Sequence, residues 1–502
     1  MTFDLLANLS VGFSAAFSLD NLFYCFAGVL LGTLIGVLPG IGTVATIAML
    51  LPVTFGLPPV GALIMLSGIY YGAQYGGSTT AILINLPGES SSVVTAVDGY
   101  QMARNGRAGV ALATAAIGSF FAGTVATLLL ALFAPPLAAV ALTFGPAEYT
   151  SLMALGLVAS IALASGSLLK AFAMMFVGLL LGLGGQDIYT GAQRFTLGLV
   201  ELIDGYEFIA IVMGMFGIAE VIRNLEDESS RSVLSTKIRN LFPSRADLRE
   251  MAAPVVRGTA LGSILGILPG GGAMLSSFAS YALEKKVSRQ PETFGKGALA
   301  GVAGPESANN AGAQTSFIPM LTLGIPSNPV MALMIGALII QGITPGPNVV
   351  TEQPVLFWGL IVSMWLGNLM LVVLNLPLVG IWVKLLSVPY HYLFPAIVVF
   401  CAVGVFSVNN ASFDVTLMAI FAVVGYVLVK LDCEPAPLLL GFVVGPMLEE
   451  NIRRAMLVSR GDPMIFVERP ISAVLLVLAA AAIIAVALPA IRKGREQAFK
   501  EA

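Results

Sequence analysis

Apolar runs of about 18 residues or more recur along this chain from residue 21 to residue 491, parted by short polar or Gly/Pro-rich joints. A water-soluble fold could not hide that much apolar surface. Only 11% of the 502 residues are charged and 57% are hydrophobic, against about 25% charged in an average soluble domain. The solvent is therefore a bilayer, and the expected fold is an all-α polytopic membrane protein. Apolar segments are read at 21–38, 41–56, 58–86, 108–142, 148–184, 205–222, 254–283, 298–323, 326–344, 353–386, 394–448 and 471–491. Several exceed one crossing and hold Pro or Gly breaks, as at Pro135-Pro136. Roughly 11 to 14 embedded helices follow, some of them re-entrant.

Composition removes most enzyme classes. There is one histidine, His391, in a Pro- and Tyr-flanked joint that reads as interfacial. Three cysteines, Cys25, Cys401 and Cys433, lie far apart and read as small packing residues. No zinc cluster, Ser-His or Cys-His constellation or Walker-type run is present in the sequence. A net charge of −3 gives no support for nucleic-acid binding. The first basic residue is Arg104, so the charged start of a secretory signal is missing and the first apolar segment is expected to remain as a helix.

The chain divides at its one long polar connection, residues 223–257, which carries seven of the 25 basic residues and is expected in the cytoplasm. The expected organisation is a first membrane repeat (1–222), that loop, a second repeat (258–448), then a charged loop, a last helix and a basic tail (449–502). The halves repeat. GTLIGVLPGIG at 32–42 returns as GSILGILPGGG at 262–272, with six of eleven positions identical. Gly72-Ala73-Gln74 returns as Gly312-Ala313-Gln314, and NLPGES at 85–90 as GIPSNP at 324–329. The loop at 51–59 is uncharged, whereas its counterpart at 284–296 holds Lys285, Lys286, Arg289 and Lys296. Conversely, Arg104 and Arg107 follow NLPGES, while 342–354 has no basic residue. Basic loops that swap sides predict inverted repeats. Residues 449–469, with four basic and four acidic residues, give no clear sidedness.

The repeated stretches are where chemistry can sit. Pro followed by Gly interrupts a helix at membrane depth, and the freed N–H groups suit an anion while freed carbonyls suit a cation. A kink that aids packing is the plainer reading of one such break; two in register favour a transport site. The polar strips at 70–92 and 305–329 add amides and hydroxyls that can bind carboxylates or ligate a hard cation. Glu306 is one of two acids between residues 297 and 383, a stretch with no Lys or Arg. It either carries a cation or proton or caps a helix at an interface. Glu89 is expected near a surface.

These residues resemble the large membrane subunit of the tripartite tricarboxylate transporter family. The resemblance rests on GVLPGIG (36–42), IYYGAQYGGSTTAILINLPGE (69–89), DGYQMARNGRAG (98–109), PESANNAGAQ (305–314), IPMLTLGIPSNP (318–329) and GPMLEENIRRAM (445–456). It implies a secondary transporter of the bacterial inner membrane for di- or tricarboxylates, without catalytic residues. It also implies a small four-helix membrane subunit, a periplasmic solute-binding protein that delivers the substrate, and a sodium or proton gradient in place of any cofactor. A second copy of the chain is a further candidate partner. Substrate carboxylates are expected at Gly40, Gly42, Gly271 and Gly272 with Ser78, Thr79, Ser327 and Asn328. The cation is expected at Gln74, Glu306, Asn309, Asn310 and Gln314. A stand-alone permease, a membrane-embedded enzyme and a passive channel are the competing readings.

Overall fold

The computed structural model describes residues 5–38, 41–162, 167–187, 189–226, 241, 243–268, 272–386 and 390–487. Among them the chain is helical almost throughout, apart from a two-stranded ribbon pairing Gly185–Gln186 with Gln193–Arg194. Five helices are long and apolar enough to cross a bilayer, and shorter apolar helices accompany them. The long apolar runs divide as their length demands: 148–184 is split between Pro146–Ala162 and Leu168–Gly182, and 394–448 is shared by Tyr390–Asn409, Ser412–Lys430 and Pro435–Val458. Pro135 and Pro136 do not break the chain; they lie inside the continuous helix Ala108–Ala141. They sit near its end, so only the carbonyls of Ala131 and Leu132 lose a helical donor. The stretch 223–257 is helical at both ends, within Phe208–Glu226 and Arg245–Ile267. The side chain of His391 lies outside the described residues.

Two helical segments form the centre. Pro59–Ile84 is buried from Gly61 to Leu83, and the run Ala300–Thr315 with Phe317–Leu323 is buried from Gly301 to Thr322. Helices buried on every side, polar residues included, are surrounded by other helices and not by lipid. Tyr70, Tyr71 and Phe317 pack ring on ring where the two meet, with centroids 5.6 to 6.4 Å apart.

Each central helix is gripped by a glycine ladder. In Leu19–Gly36, a Cβ at Gly28, Gly32 or Gly36 would stand 2.3–2.4 Å from the carbonyl oxygen of Met65, Ile69 or Ala73. In Arg245–Ile267, a Cβ at Gly258, Gly262 or Gly266 would stand 2.2–2.3 Å from that of Gly304, Ala308 or Gly312. Small residues every fourth position let backbones touch, which is the main source of helix adhesion where lipid competes for every apolar face. The gripped residues correspond at a constant offset of 239 (65 to 304, 69 to 308, 73 to 312). The GAQ triplets match at 240, one residue out of that register.

Both central segments end in a left-handed residue, Asn85 (φ 57°) and Gly324 (φ 70°). The chain then turns back through Leu-Pro-Gly-Glu or Ile-Pro-Ser-Asn, so that the amide of Gly88 reaches the carbonyl of Gly77 at 3.4 Å. The next helix starts beside the last third of the preceding segment. Two ends of the molecule are thereby defined. At one, Gln341 Nε2 donates to the carbonyls of Thr54 and Leu57 at 3.3 and 3.4 Å. At the other, Arg107 pairs with Asp247 at 2.5 Å and Asn105 Nδ2 donates to the Lys296 carbonyl at 3.4 Å. The second end carries the basic loops.

Residues 449–469 also find their place. Arg453 and Glu449 pair with Asp187 and Arg194 at 2.5 and 2.8 Å, which ties them to the loop before Phe208, at the far end of Phe208–Glu226 from the basic loops. The N–H of Tyr189 first, and then Arg453, hold the Asp187 carboxyl down to about 2.

Asp98, fully buried, clamps the halves at the basic end. Its Oδ1 accepts from the N–H groups of Gly295, Gly297 and Ala298 at 2.8–2.9 Å, and its Oδ2 from Tyr281 Oη at 2.9 Å. Asp98→Ala strands three backbone donors and is expected to cost about 3 kcal/mol. Thermal unfolding in detergent measures this loss; a Tm equal to that of the parent would show that the clamp carries no load.

Candidate functional site

The two turns after the central helices, and the joints that open the neighbouring helices, come together around a cavity of about 560 Å³. Its wall includes Gly42 and Thr43 from the first joint, Gly88, Glu89 and Ser91 from the first turn, Ala273 beside the second joint, and Asn328 from the second turn. Gln74 lines it from the first central helix, and Glu220 and Arg223 line it toward the basic end. Of the expected substrate residues, Gly42 and Asn328 face this cavity. Gly272 (φ 59°) stands behind Asn328: a Cβ there would lie 3.0 Å from Asn328 Nδ2. Gly40 and Gly271 lie outside the described residues.

Glu89 corrects the sequence reading. It was expected near a surface, yet it is only 8% exposed and points into the protein. Thr43 Oγ1 donates to it at 2.5 Å, Asn309 Nδ2 at 3.1 Å, and Ser91 Oγ completes the set. It is also the N-terminal cap of the short helix Ser90–Ser92, in a capping box with Ser92. The signal lay in the repeat itself. Aligning Pro87 with Pro326 pairs Glu89 with Asn328, which caps its own helix by accepting from the N–H of Met331 at 3.0 Å.

A second polar centre lies deeper. Glu306, 1% exposed, accepts from Ser78 Oγ at 2.9 Å on both oxygens, from Thr95 Oγ1, and from Ser119 Oγ at 3.5 Å. Four helical segments thus converge on one carboxylate, and the helix-cap alternative fails because Glu306 sits in the middle of Ala300–Thr315. Ser78 and Thr79 border the same small void as Glu306, together with Tyr75 and Asn375. Asn310 Nδ2 steadies Ser119 Oγ at 2.6 Å. Gln314 lies a turn further on, accepting from Thr127 Oγ1 at 3.3 Å. Ser327 Oγ reaches the Ser316 carbonyl at 3.4 Å. Thr95 and Ser119 escaped the sequence reading because they stand outside the repeated motifs.

Several buried polar atoms here have no partner among the described residues: both amide atoms of Gln74, Oδ1 of Asn309, Asn310 and Asn375, Nε2 of Gln314 and Oη of Tyr75. Unpaired amides at membrane depth are costly unless something else satisfies them. No group of three or more His, Cys, Asp and Glu fit for a transition metal occurs among the described residues. The oxygens present suit a hard monovalent cation, a proton or a polar substrate.

A third feature is a cavity of about 620 Å³ at the other end, lined by Tyr149, Met153, Ile339, Met447, Glu450 and Arg454. Three helices line both cavities: Pro146–Ala162 through Met153 and Ser160, Pro329–Ile340 through Ile339 and Val330, and Pro435–Val458 through Met447 and Leu440. Between the cavities these helices bury Leu157, Met334 and Val444. Gly156 packs against Ile325 at the second turn, where a Cβ would lie 3.3 Å from its side chain.

Broken helices around buried polar groups, with a cavity at each end of one apolar seal, define a membrane protein built on the transporter plan. The chain belongs to the tripartite tricarboxylate transporter TctA family, which it matches over residues 22–440. This is a family of transporters of tricarboxylates, in which TctA is the large membrane subunit. The chain is 64% identical over 498 residues to an uncharacterized 52.8 kDa protein in the TAR-I ttuC' 3' region of Agrobacterium vitis, covering 99% of both chains. It is 62% identical over 240 residues to an uncharacterized protein in the TAR-II ttuC' 3' region of the same organism, covering 48% of this chain and 99% of the other. No solved structure matches.

Proposed function

We propose that this chain is the permease subunit of a binding-protein-dependent secondary transporter that brings di- and tricarboxylates across the bacterial inner membrane. The driving force is a sodium or proton gradient. Its partners are a small four-helix membrane subunit and a periplasmic solute-binding protein. The observation that carries the reading is the pair of cavities at opposite ends of the same three helices, with a buried apolar layer between them. A channel needs a continuous path; a sealed pair suits alternating access.

We read the two halves as inverted repeats, which suits the same mechanism. The glycine ladders, the left-handed residues and the returning turns correspond in the two halves. Loops 51–59 and 284–296 hold corresponding places in sequence, yet the first contacts Gln341 at one end and the second Asn105 at the other. By the positive-inside rule the end with Arg107, Arg245 and Lys296 is cytoplasmic. The 560 Å³ cavity then faces the cytoplasm and the other faces the periplasm, where the binding protein docks.

Within the inner cavity, the backbone at Gly42 and the amides of Gln74 and Asn328 hold substrate carboxylates. Glu306 with Ser78, Thr95 and Ser119 holds the coupling cation, and Asn310 steadies that group through Ser119. The sequence reading set Ser78 with the substrate and Gln74 with the cation; their positions favour the exchange proposed here.

The test is uptake of a labelled di- and tricarboxylate panel into proteoliposomes. The chain is reconstituted with a candidate small four-helix subunit, under an imposed sodium or proton gradient, with and without a candidate binding protein. Uptake that needs both binding protein and gradient is the expected result. Gradient-driven uptake without binding protein would mark a stand-alone permease, and flux indifferent to any gradient a channel. Gln74→Ala is expected to raise the KM about 10-fold with protein levels unchanged, and Asn328→Ala to raise it about 10-fold with some loss of Tm, since it also removes the cap of Pro329–Ile340. An unaltered KM in both would remove them from the substrate site.

A further inference from the structure

Glu89 presents a problem that the transport reading alone leaves unsolved. It is an acid on the wall of a cavity proposed to receive anions, and the described residues bring no Lys or Arg to its carboxylate. Thr43, Ser91 and Asn309 donate to it instead, from three different elements. Two hydroxyls and an amide converging on a carboxylate, at the start of a helix beside a Gly break, are the groups a bound substrate carboxylate would use.

The corresponding position across the repeat shows that capping does not require an acid. Asn328 closes the second turn, caps Pro329–Ile340 through the Met331 N–H, and is neutral. Glu89 caps a helix of only three residues and extends to Thr43 and Asn309. A further amide donor for a carboxylate lies on the same wall: Gln74 is 1% exposed and lines the cavity.

We propose that Glu89 is a resident carboxylate that occupies the substrate's donors when no substrate is bound and gives them up on taking a proton. This rests on the carboxylate-transport reading above. Two carboxylates competing for one set of donors cannot both stay ionised in a site of low polarity. The proton comes from solvent, forms the O–H bond of Glu89 as the substrate carboxylate takes the donors, and returns to solvent when the substrate leaves. No other bond is made or broken. Because Thr43, Ser91 and Asn309 keep an acceptor in either state, the device also explains how donors with no Lys or Arg beside them stay satisfied.

The groups facing Glu89 are few. Tyr70 lies on the first central helix and lines the same cavity, and Glu306 lies on the second, a turn before Asn309. Across the cavity stand Glu434, and Glu220 paired with Arg223 at 3.5 Å. Gly272–Val287 presents the neutral Ser277, which donates to the Ser91 carbonyl at 2.8 Å. Asp98, further along the first-turn segment, is turned away onto Gly295, Gly297 and Ala298.

Two measurements test the proposal. In the first, Tm of purified wild type and Glu89→Ala is followed as acetate, the smallest suitable carboxylate, is added. Acetate at about pH 7.5 is expected to raise Tm of Glu89→Ala in a saturable way at concentrations at least about 10-fold lower than wild type needs, because wild type must first protonate Glu89 to free the donors. No response in the variant, or an equal response in both proteins, would overturn the proposal.

The second uses Glu89→Gln, which keeps the shape of the side chain and so guards against a variant that fails to fold. Citrate counterflow is compared at about pH 5.5 and about pH 7.5. Wild-type KM is expected to rise with pH at least about 10-fold more than that of Glu89→Gln, as uptake of one proton with the substrate requires. The protonation of citrate itself is common to both proteins and cancels. Parallel pH profiles would overturn the proposal. Wild type that moves no member of the carboxylate panel would sink the transport reading, and the acetate titration would still decide whether Glu89 occupies an anion site.

Discussion

Glu306→Ala is expected to abolish gradient-driven uptake, lowering it at least about 100-fold, with the protein still inserted and folded. Ser78, Thr95 and Ser119 are drawn from three other helical segments to this carboxylate, and no other acid is hydrogen-bonded to them. Without it the oxygens that remain are neutral and cannot offset a cation's desolvation. Folding should survive, because Ser78 Oγ also reaches the Gln74 carbonyl at 3.1 Å. Asn310→Ala acts through Ser119 and should lower uptake about 10-fold. Uptake into proteoliposomes measures both, and a Glu306→Ala protein that accumulates substrate as wild type does would remove the cation site from this place.

The second large effect is structural. Gly32→Leu and Gly262→Leu are each expected to destroy the folded protein, with a loss above about 4 kcal/mol. Even the first side-chain atom would stand 2.3 Å from the carbonyl oxygen of Ile69 or Ala308. Neither partner can retreat, since both belong to the buried central helices. Gly42→Ala is the control: it has φ −66° and nothing within 4 Å of a Cβ, so it should fold normally. Monodisperse yield after detergent extraction separates the outcomes. Wild-type yield of Gly32→Leu would mean that the helices pack otherwise than described.

Part of this was legible along the chain. Hydrophobic run length announced a bundle of membrane helices, because lipid leaves the backbone no other local way to pair its polar groups. Pro-Gly joints announced broken helices, and repeated motifs placed them in pairs. Glu306 stood out because charge is rare at that depth. The reading failed where register or long-range contact decides. The GAQ identity, one residue out of the packing register, suggested like roles for Gln74 and Gln314. A step of one residue is about 100° around a helix, and Gln74 faces the inner cavity while Gln314 meets Thr127.

Family membership follows from sequence alone, as does the membrane setting, for both depend on residue identity and local periodicity. The order of breaks and polar strips was equally fixed by the chain itself. Tertiary structure decided which strips share a site. Thr95 and Ser119 join Glu306 from 211 and 187 residues away, and Glu89 meets Thr43 and Asn309 across 46 and 220. Hydrogen bonds of that range leave no mark on local pattern. They depend on how closely two backbones approach and at what rotation, which the glycine ladders set only when the helices meet.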